Sequence, residues 1–269
     1  MTLEDELLIV KAYKEGNPAS KILALLGHKF KTTKTVYDVL KKYGVERGTS
    51  SRYVQLVHHY FSEIDTPNKA YVLGLLMADG WVLPERNIVG IQLHERDGYI
   101  IQQIKEEWGS DVKILITKPG ESVGPTGKTI KKGRHHRIVV YSQKMLEDLR
   151  KYSANLPKLE RSNMPLVGKY QSDWMRGVLD GDGTIYVHSN GKDTCVRFLG
   201  NHYIPPQIAL FLHAKLKVKH SITRPKGSVS LVEWTIQDDV AKILKYLYQH
   251  VPEAMYMKRK YERATRFLD

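Results

Sequence analysis

The sequence predicts an α+β fold: a pseudo-two-fold pair of αββαββα subdomains with two antiparallel sheets, preceded by a small all-α domain. Three observations predict it. The apolar stretch Tyr71-Val-Leu-Gly-Leu-Leu-Met-Ala-Asp-Gly-Trp81 has an echo in Trp174-Met-Arg-Gly-Val-Leu-Asp-Gly-Asp-Gly-Thr184. After each copy the pattern switches from helical period to alternation and back, in the same succession. Before the first copy, residues 1–48 show helical spacing with Gly-bounded turns and no alternation. These features divide the chain into a helical domain 1–48, a linker 49–66 and two subdomains, 67–165 and 166–269.

The first domain opens with a helix over 3–15, acids in its first turn. Gly16-Asn17 stops it, and Pro18 opens a second helix that ends at Gly27. Thr32 or Thr33 can cap a third helix running to about Tyr43. Val36, Val39 and Leu40 then face inward, and Lys34, Thr35, Tyr37, Lys41 and Lys42 stay outside. Three short helices about such a turn resemble a helix-turn-helix DNA-binding module. A small structural domain is the bland alternative, and no acidic face favours it. The linker carries Arg47 and Arg52, which either track a nucleic-acid backbone or belong to a solvated tether. A short helix or docking segment is expected over 53–62.

Pro67 starts the first repeated helix. A hairpin follows, turning at Arg86-Asn87, with Ile88, Gly90, Gln92 and His94 alternating against Val89, Ile91, Leu93 and Glu95. Next come a helix over Tyr99–Trp108, a strand from about Val112 to Thr117, a long Gly/Pro/Lys loop over 118–133, a strand over Arg134–Ser142 and a helix over Lys144–Tyr152. The second subdomain repeats the order: a hairpin about Asn190-Gly191, a helix over Pro206–Leu216, a hairpin about Pro225-Lys-Gly, a helix over Val240–Tyr248 and a final helix over Pro252–Phe267.

Within each repeated helix, small residues recur at i and i+4: Gly74 and Ala78, Gly177 and Gly181. They share one face, along which two helix backbones can approach closely. The Gly after each acid (Gly80, Gly183) suits a left-handed helix end. Asp79 and Asp182 would then sit at negative helix ends, an unfavourable place for a carboxylate. Two such ends side by side call for cations. Mg²⁺ fits, because it binds through one or two carboxylates and shares phosphate oxygens.

Composition bounds the partner. Lys and Arg number 42 against 29 Asp and Glu, a net charge of +13 spread along the chain. Such a basic surface points to a polyanion bound by counterion release. Outward strand positions carry readout chemistry for double-stranded DNA: Arg86, Asn87, Gln92 and His94 in one half, Tyr186, His188, Asn190, Lys192 and Arg197 in the other. Arg134, Arg137, Arg224 and Lys226 would serve phosphates. A solvated strand face is the alternative for any one of them. A single Cys, Cys195, excludes an intramolecular disulfide and a Cys-based zinc site. No stretch approaches a membrane span, and no signal-peptide pattern opens the chain, so an intracellular (cytoplasmic), soluble protein is expected.

The two copies resemble the signature of the LAGLIDADG homing endonucleases in their single-chain, two-motif form. The second, 175–183, is a close match; the first, 72–80, departs at Met77, where the family often has Asp. The resemblance covers about 60–269 and implies saddle-like sheets on DNA and cleavage of both strands of a long, asymmetric site across the minor groove by one monomeric chain. It implies that Asp79 and Asp182, with the backbone carbonyls of Ala78 and Gly181, hold divalent metal at the scissile phosphates. Mg²⁺ is expected, Mn²⁺ substituting and Ca²⁺ binding without supporting cleavage. In many members a Lys from the fourth strand of each half helps order water. Gln143 and Gln237 occupy those positions in this reading, so they take the role or another base, such as Lys219 or Lys226, reaches in. Intein-type splicing residues are absent, and an intron-encoded or free-standing origin is expected. Two other readings share the fold: a non-cleaving DNA-binding regulator, disfavoured by survival of both acids, and a maturase acting on intron RNA.

Overall fold

The computed structural model describes residues 1–14, 17, 19–27, 32–45, 56–123, 129–189, 193–219, 222–227 and 229–268. Helices α1 (Leu3–Lys14), α2 (Ala19–Leu25) and α3 (Thr33–Lys42) enclose a small core of their own, in which Ile9, Ile22, Val36 and Leu40 have no exposed surface. Helix α1 begins with a reciprocal cap: Thr2 Oγ1 accepts from the Asp5 amide at 3.2 Å, and Asp5 Oδ2 accepts from the Thr2 amide at 3.0 Å. At α3 the cap residue is Thr32, extended but without a side-chain bond. Lys42 stays outside, as expected, and pairs with Glu6 at 2.7 Å, while Tyr43 donates to the same carboxylate.

The expected docking segment over 53–62 falls partly outside the described residues. Its described part is a turn that buries Tyr60 and Phe61 in the main core. Thr66 caps α4 (Pro67–Asp79), accepting from the Lys69 amide, with Pro67 in the first turn where its missing donor costs nothing. The first half continues through β1 (Gly80–Leu83), β2 (Ile88–His94), α5 (Gly98–Glu107), β3 (Leu115–Thr117), β4 (Gly120–Val123), β5 (Thr129–Lys132), β6 (His135–Tyr141) and α6 (Gln143–Arg150). After a connector, the second half runs α7 (Gln171–Asp182), β7 (Thr184–Val187), β8 (Thr194–Gly200), α8 (Ile204–Leu216), β9 (Ile222–Lys226), β10 (Val229–Trp234), α9 (Gln237–Leu247) and α10 (Lys258–Ala264).

Each half forms a four-stranded antiparallel sheet, in the orders β1-β2-β6-β3 and β7-β8-β10-β9. The two orders are the same permutation, so the sequence repeat is also a repeat of topology. One large core joins the halves through the fully buried rings of Trp108 and Trp174 and, nearly as buried, Trp234. Two expectations are corrected. The span 118–133 is not one loop: β4 and β5 pair as a separate hairpin, an element whose polar, lysine-rich composition hid it. The expected helix 252–267 is confined to α10 and a short turn, because residues 251–254 turn and Met255 and Met257 are bonded through their backbone to Arg176 and Asp180 of α7.

Candidate active site at the ends of the paired helices

Glycine lets α4 and α7 touch along their backbones. A Cβ on Gly74 would lie 2.1 Å from the Trp174 carbonyl oxygen, and one on Gly177 would lie 2.2 Å from that of Tyr71. These contacts are reciprocal, as a pseudo-two-fold axis between the helices demands. One turn further, a Cβ on Gly181 would meet Ala78 Cβ at 2.4 Å and Asp79 Oδ2 at 3.3 Å. The last residues of both helices, with Asp79 and Asp182, therefore stand together.

Gly80 and Gly183 do not end their helices in the left-handed way expected. Their φ values are −91° and −85°, with ψ of 168° and 179°, which is ordinary extended backbone. The chain passes straight from helix into strand. Glycine is required for space instead: a Cβ on Gly80 would meet the Leu76 carbonyl at 2.5 Å, and one on Gly183 would meet those of Leu179 and Arg197 at 2.7 Å.

Burial, and then the neighbouring Asp182, pushes the Asp79 carboxyl up to about 6. Burial also raises Asp182, against the pull of Lys158. The Lys158 ammonium donates to the Ala78 carbonyl at 2.7 Å and pairs with Asp182 Oδ2, so it spans the two halves. Arg161, nearly fully buried, donates to the Met77 carbonyl at 2.6 Å, and burial lowers it to about 10. In the second half Lys260 is the counterpart of Arg161. Its ammonium donates to the carbonyls of Leu179, Asp180 and Gly183 at 2.5, 2.6 and 2.8 Å, and burial lowers it to about 8. These cations answer the negative ends of α4 and α7. A third acid, Asp180, serves structure: it accepts from the Tyr71 hydroxyl at 2.9 Å and the Met257 amide at 2.7 Å.

Gln143 and Gln237 are not brought to the acids. Gln143 Nε2 donates to Glu147 at 2.9 Å on the surface of α6. Gln237 is bound to both backbone groups of Thr194, at 3.0 and 2.9 Å. Thr194 pairs with Val187 at the far end of the β7–β8 hairpin, whereas the acid end pairs Thr184 with Arg197. The strand exits therefore point away from the helix ends. The basic groups come from the connector and from α10; Lys158 and Arg161 lie in a stretch without periodicity, and Lys260 lies in a helix whose sequence does not show what it bonds. Lys219 lies at the α8–β9 loop, its amide donating to Asp239 at 3.0 Å.

Ala78 O and the two carboxylates are oxygen donors of the kind hard cations take. Lys158 already places a positive charge between a carbonyl and a carboxylate there, so the donor set fits a divalent metal. Among the described residues no three His, Cys, Asp or Glu side chains stand together as a closed metal cage. A metal held here would be left open to phosphate oxygens.

The predicted DNA-facing residues are distributed unevenly. Lys34, Lys41, Arg86, Tyr186 and His188 are exposed, and Thr35, Tyr37, Asn87, Gln92 and His94 are half-buried. Tyr37 packs against the small core of α1–α3. Asn87 is the left-handed turn residue of its hairpin (φ 52°), and its carbonyl accepts from the Ser142 amide. His94 accepts from the Arg96 amide and meets His135 edge-on. Arg134 lies 3.6 Å from Glu95. Arg137 stacks over Trp81 at 4.5 Å. Arg197 donates to the buried Glu233 at 2.5 Å, so that part of its charge is already answered. Arg47, Arg52, Asn190 and Lys192 lie outside the described residues, and of Arg224 and Lys226 the backbone alone is described, in β9.

No protein-family model and no curated protein matches this sequence. Solved structures do resemble it. The homing endonuclease I-WcaI bound to its DNA recognition sequence is 12% identical, with 82% of this chain and 91% of that chain covered and a TM-score of 0.48. The meganuclease I-SmaMI bound to uncleaveable DNA is 12% identical, covering 75% and 88%, at 0.47. The I-LtrWI LAGLIDADG homing endonuclease bound to target DNA is 9% identical, covering 78% and 90%, at 0.43. The fold of this chain rests on its own strand order and helix pair, not on likenesses of this level.

Proposed function

We propose that this chain is a metal-dependent, site-specific endonuclease of double-stranded DNA, of the LAGLIDADG homing type. The convergence of Asp79 and Asp182 at the abutting ends of two glycine-faced helices carries this reading. Two acids on one axis between two like sheets suit two scissile phosphates, one on each strand, and make one chain sufficient. Asp79 and Asp182, with the carbonyls of Ala78 and Gly181, would hold the metal; Mg²⁺ is the proposed ion. Bound there, it would supply activated water and charge for the leaving oxygen. Burial of Asp79 keeps bulk water from satisfying its charge, so the cation has to do so. Lys158, half in solvent on a flexible stem, can give up its carboxylate partner and meet a phosphate oxygen or the water beside it. Lys260 and Arg161 stay with the helix-end carbonyls and hold the frame. The two sheets and the exposed cations of α3 bind the duplex.

Incubation with a randomised DNA-site library and Mg²⁺ or Mn²⁺, with sequencing of the cut ends, tests the reading. Paired cuts at one long motif are expected, lost in Asp79→Asn and in Asp182→Asn. Cutting that survives both substitutions overturns it. Enrichment of bound sites without cuts would replace it with a DNA-binding regulator, or with an RNA maturase if intron RNA is the better ligand.

A further inference from the structure

We propose that Asn201, in the turn between β8 and α8, is a positioning residue that sets Lys158 against the acid pair; the inference rests on the endonuclease reading. Asn201 is buried, with 4% of its surface exposed. Its amide nitrogen donates to the Lys158 carbonyl at 2.9 Å and to the Arg161 carbonyl at 2.6 Å. Its oxygen accepts from the amides of Tyr203 and Ile204 at 3.0 and 2.9 Å, where α8 begins. An asparagine side chain has two donor hydrogens and one carbonyl oxygen with two lone pairs. All are used here, and no other side chain of that size supplies two donor hydrogens beside an acceptor oxygen.

The connector needs such a fastening. Lys158–Glu160 is a single 3-10 turn, outside both sheets. Asn201 bonds the backbone of Lys158 itself. Gln207, a turn further along α8, holds the next stretch by donating to the Ser162 carbonyl at 2.7 Å and accepting from the Met164 amide at 3.1 Å. The second half thus fixes the base of a lysine whose ammonium reaches the first half at the Ala78 carbonyl. Asn201 touches neither acid, so it acts through Lys158.

The test uses the full chain with Asn201→Asp, which keeps the acceptors and loses both donors, and with Asn201→Ser should the first fail to fold. In metal-free protein, the rate at which an amine-reactive reagent labels Lys158, read by mass spectrometry, is expected to rise several-fold. Single-turnover DNA cleavage is expected to fall roughly 10–100-fold, the usual effect of removing an outer support of a metal site. DNA affinity measured in Ca²⁺ should be unchanged, Gln207→Ala should have the smaller effect on labelling, and in a Lys158→Met background Asn201→Asp should cost nothing further. Unchanged labelling overturns the proposal whether or not the protein cuts DNA. So does a cleavage loss that persists in full in the Lys158→Met background. A wild-type chain that labels as expected but cuts nothing overturns the endonuclease reading and leaves Asn201 as the residue that places Lys158.

Discussion

Asp79 shows what the fold gives up to assemble this site. Its carboxyl is held at about 6, against an ordinary 3.8, first by burial and then by Asp182. Between those two values the folded chain binds more protons than the unfolded one, so this group's contribution to stability falls as pH rises through the window. Above pH 6 the charged, desolvated carboxylate opposes folding in full. Asp79→Asn should therefore stabilise the metal-free protein at pH 7.5, by about 1–2 kcal/mol after allowance for partial exposure. The gain should fade toward pH 4, where the wild-type carboxyl is itself neutral. Thermal melts of both proteins at the two pH values, in chelator, check this. Equal melting at pH 7.5 would show that Lys158 already compensates the charge. At this scale the acids were legible, because Asp-Gly after a small-residue face is a local pattern. The bases were not. Lys158 and Arg161 lie in a connector with no period, Lys260 lies in a helix, and the targets of all three include main-chain carbonyls, which leave no mark in a sequence. Gln143 and Gln237 occupy matching places after matching strands, but strand exits that match each other need not match the helix ends.

Between elements, the glycine faces decide the geometry. In a solvent-exposed helix Gly→Ala stabilises by about 1 kcal/mol. Here the sign should reverse. Gly74→Ala and Gly177→Ala each drive a methyl group into the facing backbone, at 2.1 and 2.2 Å, where no side chain can move aside. A loss of about 1–3 kcal/mol is expected for each, the usual range for overpacking, and the near-equality of the two is a consequence of the pseudo-two-fold axis. Urea unfolding measures it; a neutral Gly74→Ala would mean that the two helices are not in backbone contact. The close-approach face is readable from spacing alone, and so are the hairpins of the two four-stranded sheets and the order of helices. The backbone of Gly80 and Gly183 is not. Whether a glycine after a helix reverses the chain or lets it run straight on depends on the next element, and here a strand pairs at once, Gly80 with Ile91. The β4–β5 hairpin was missed for the converse reason: paired with no core strand, it needs no apolar alternation.

Across the whole molecule, two hydrophobic cores are built from different residues. The core of α1–α3 runs from Ile9 to Leu40 and shares none with the main core, which begins at Tyr60. Between them lie residues 46–55, with Arg47 and Arg52. The helical module can therefore be removed without opening the core that holds the acids. Its third helix presents Lys34 and Lys41 to solvent, while Lys42 is spent on Glu6. Were this module to meet DNA through phosphates, each such contact would add about 0.9 to the slope of log affinity against log salt. Deletion of 1–48 should leave a cooperative melt and metal-dependent cutting, weaken DNA binding at low salt, and flatten the salt slope by roughly 2 if the two exposed lysines meet phosphates. Titrations of the full and shortened chains at several salt concentrations, in Ca²⁺ so that binding is read without cleavage, separate the outcomes. Unchanged affinity and slope would remove the module from the DNA interface. A slope that flattens while discrimination among sites persists would assign phosphate contacts to α3 and leave base readout to the two sheets. Loss of discrimination as well would mean that α3 reads bases.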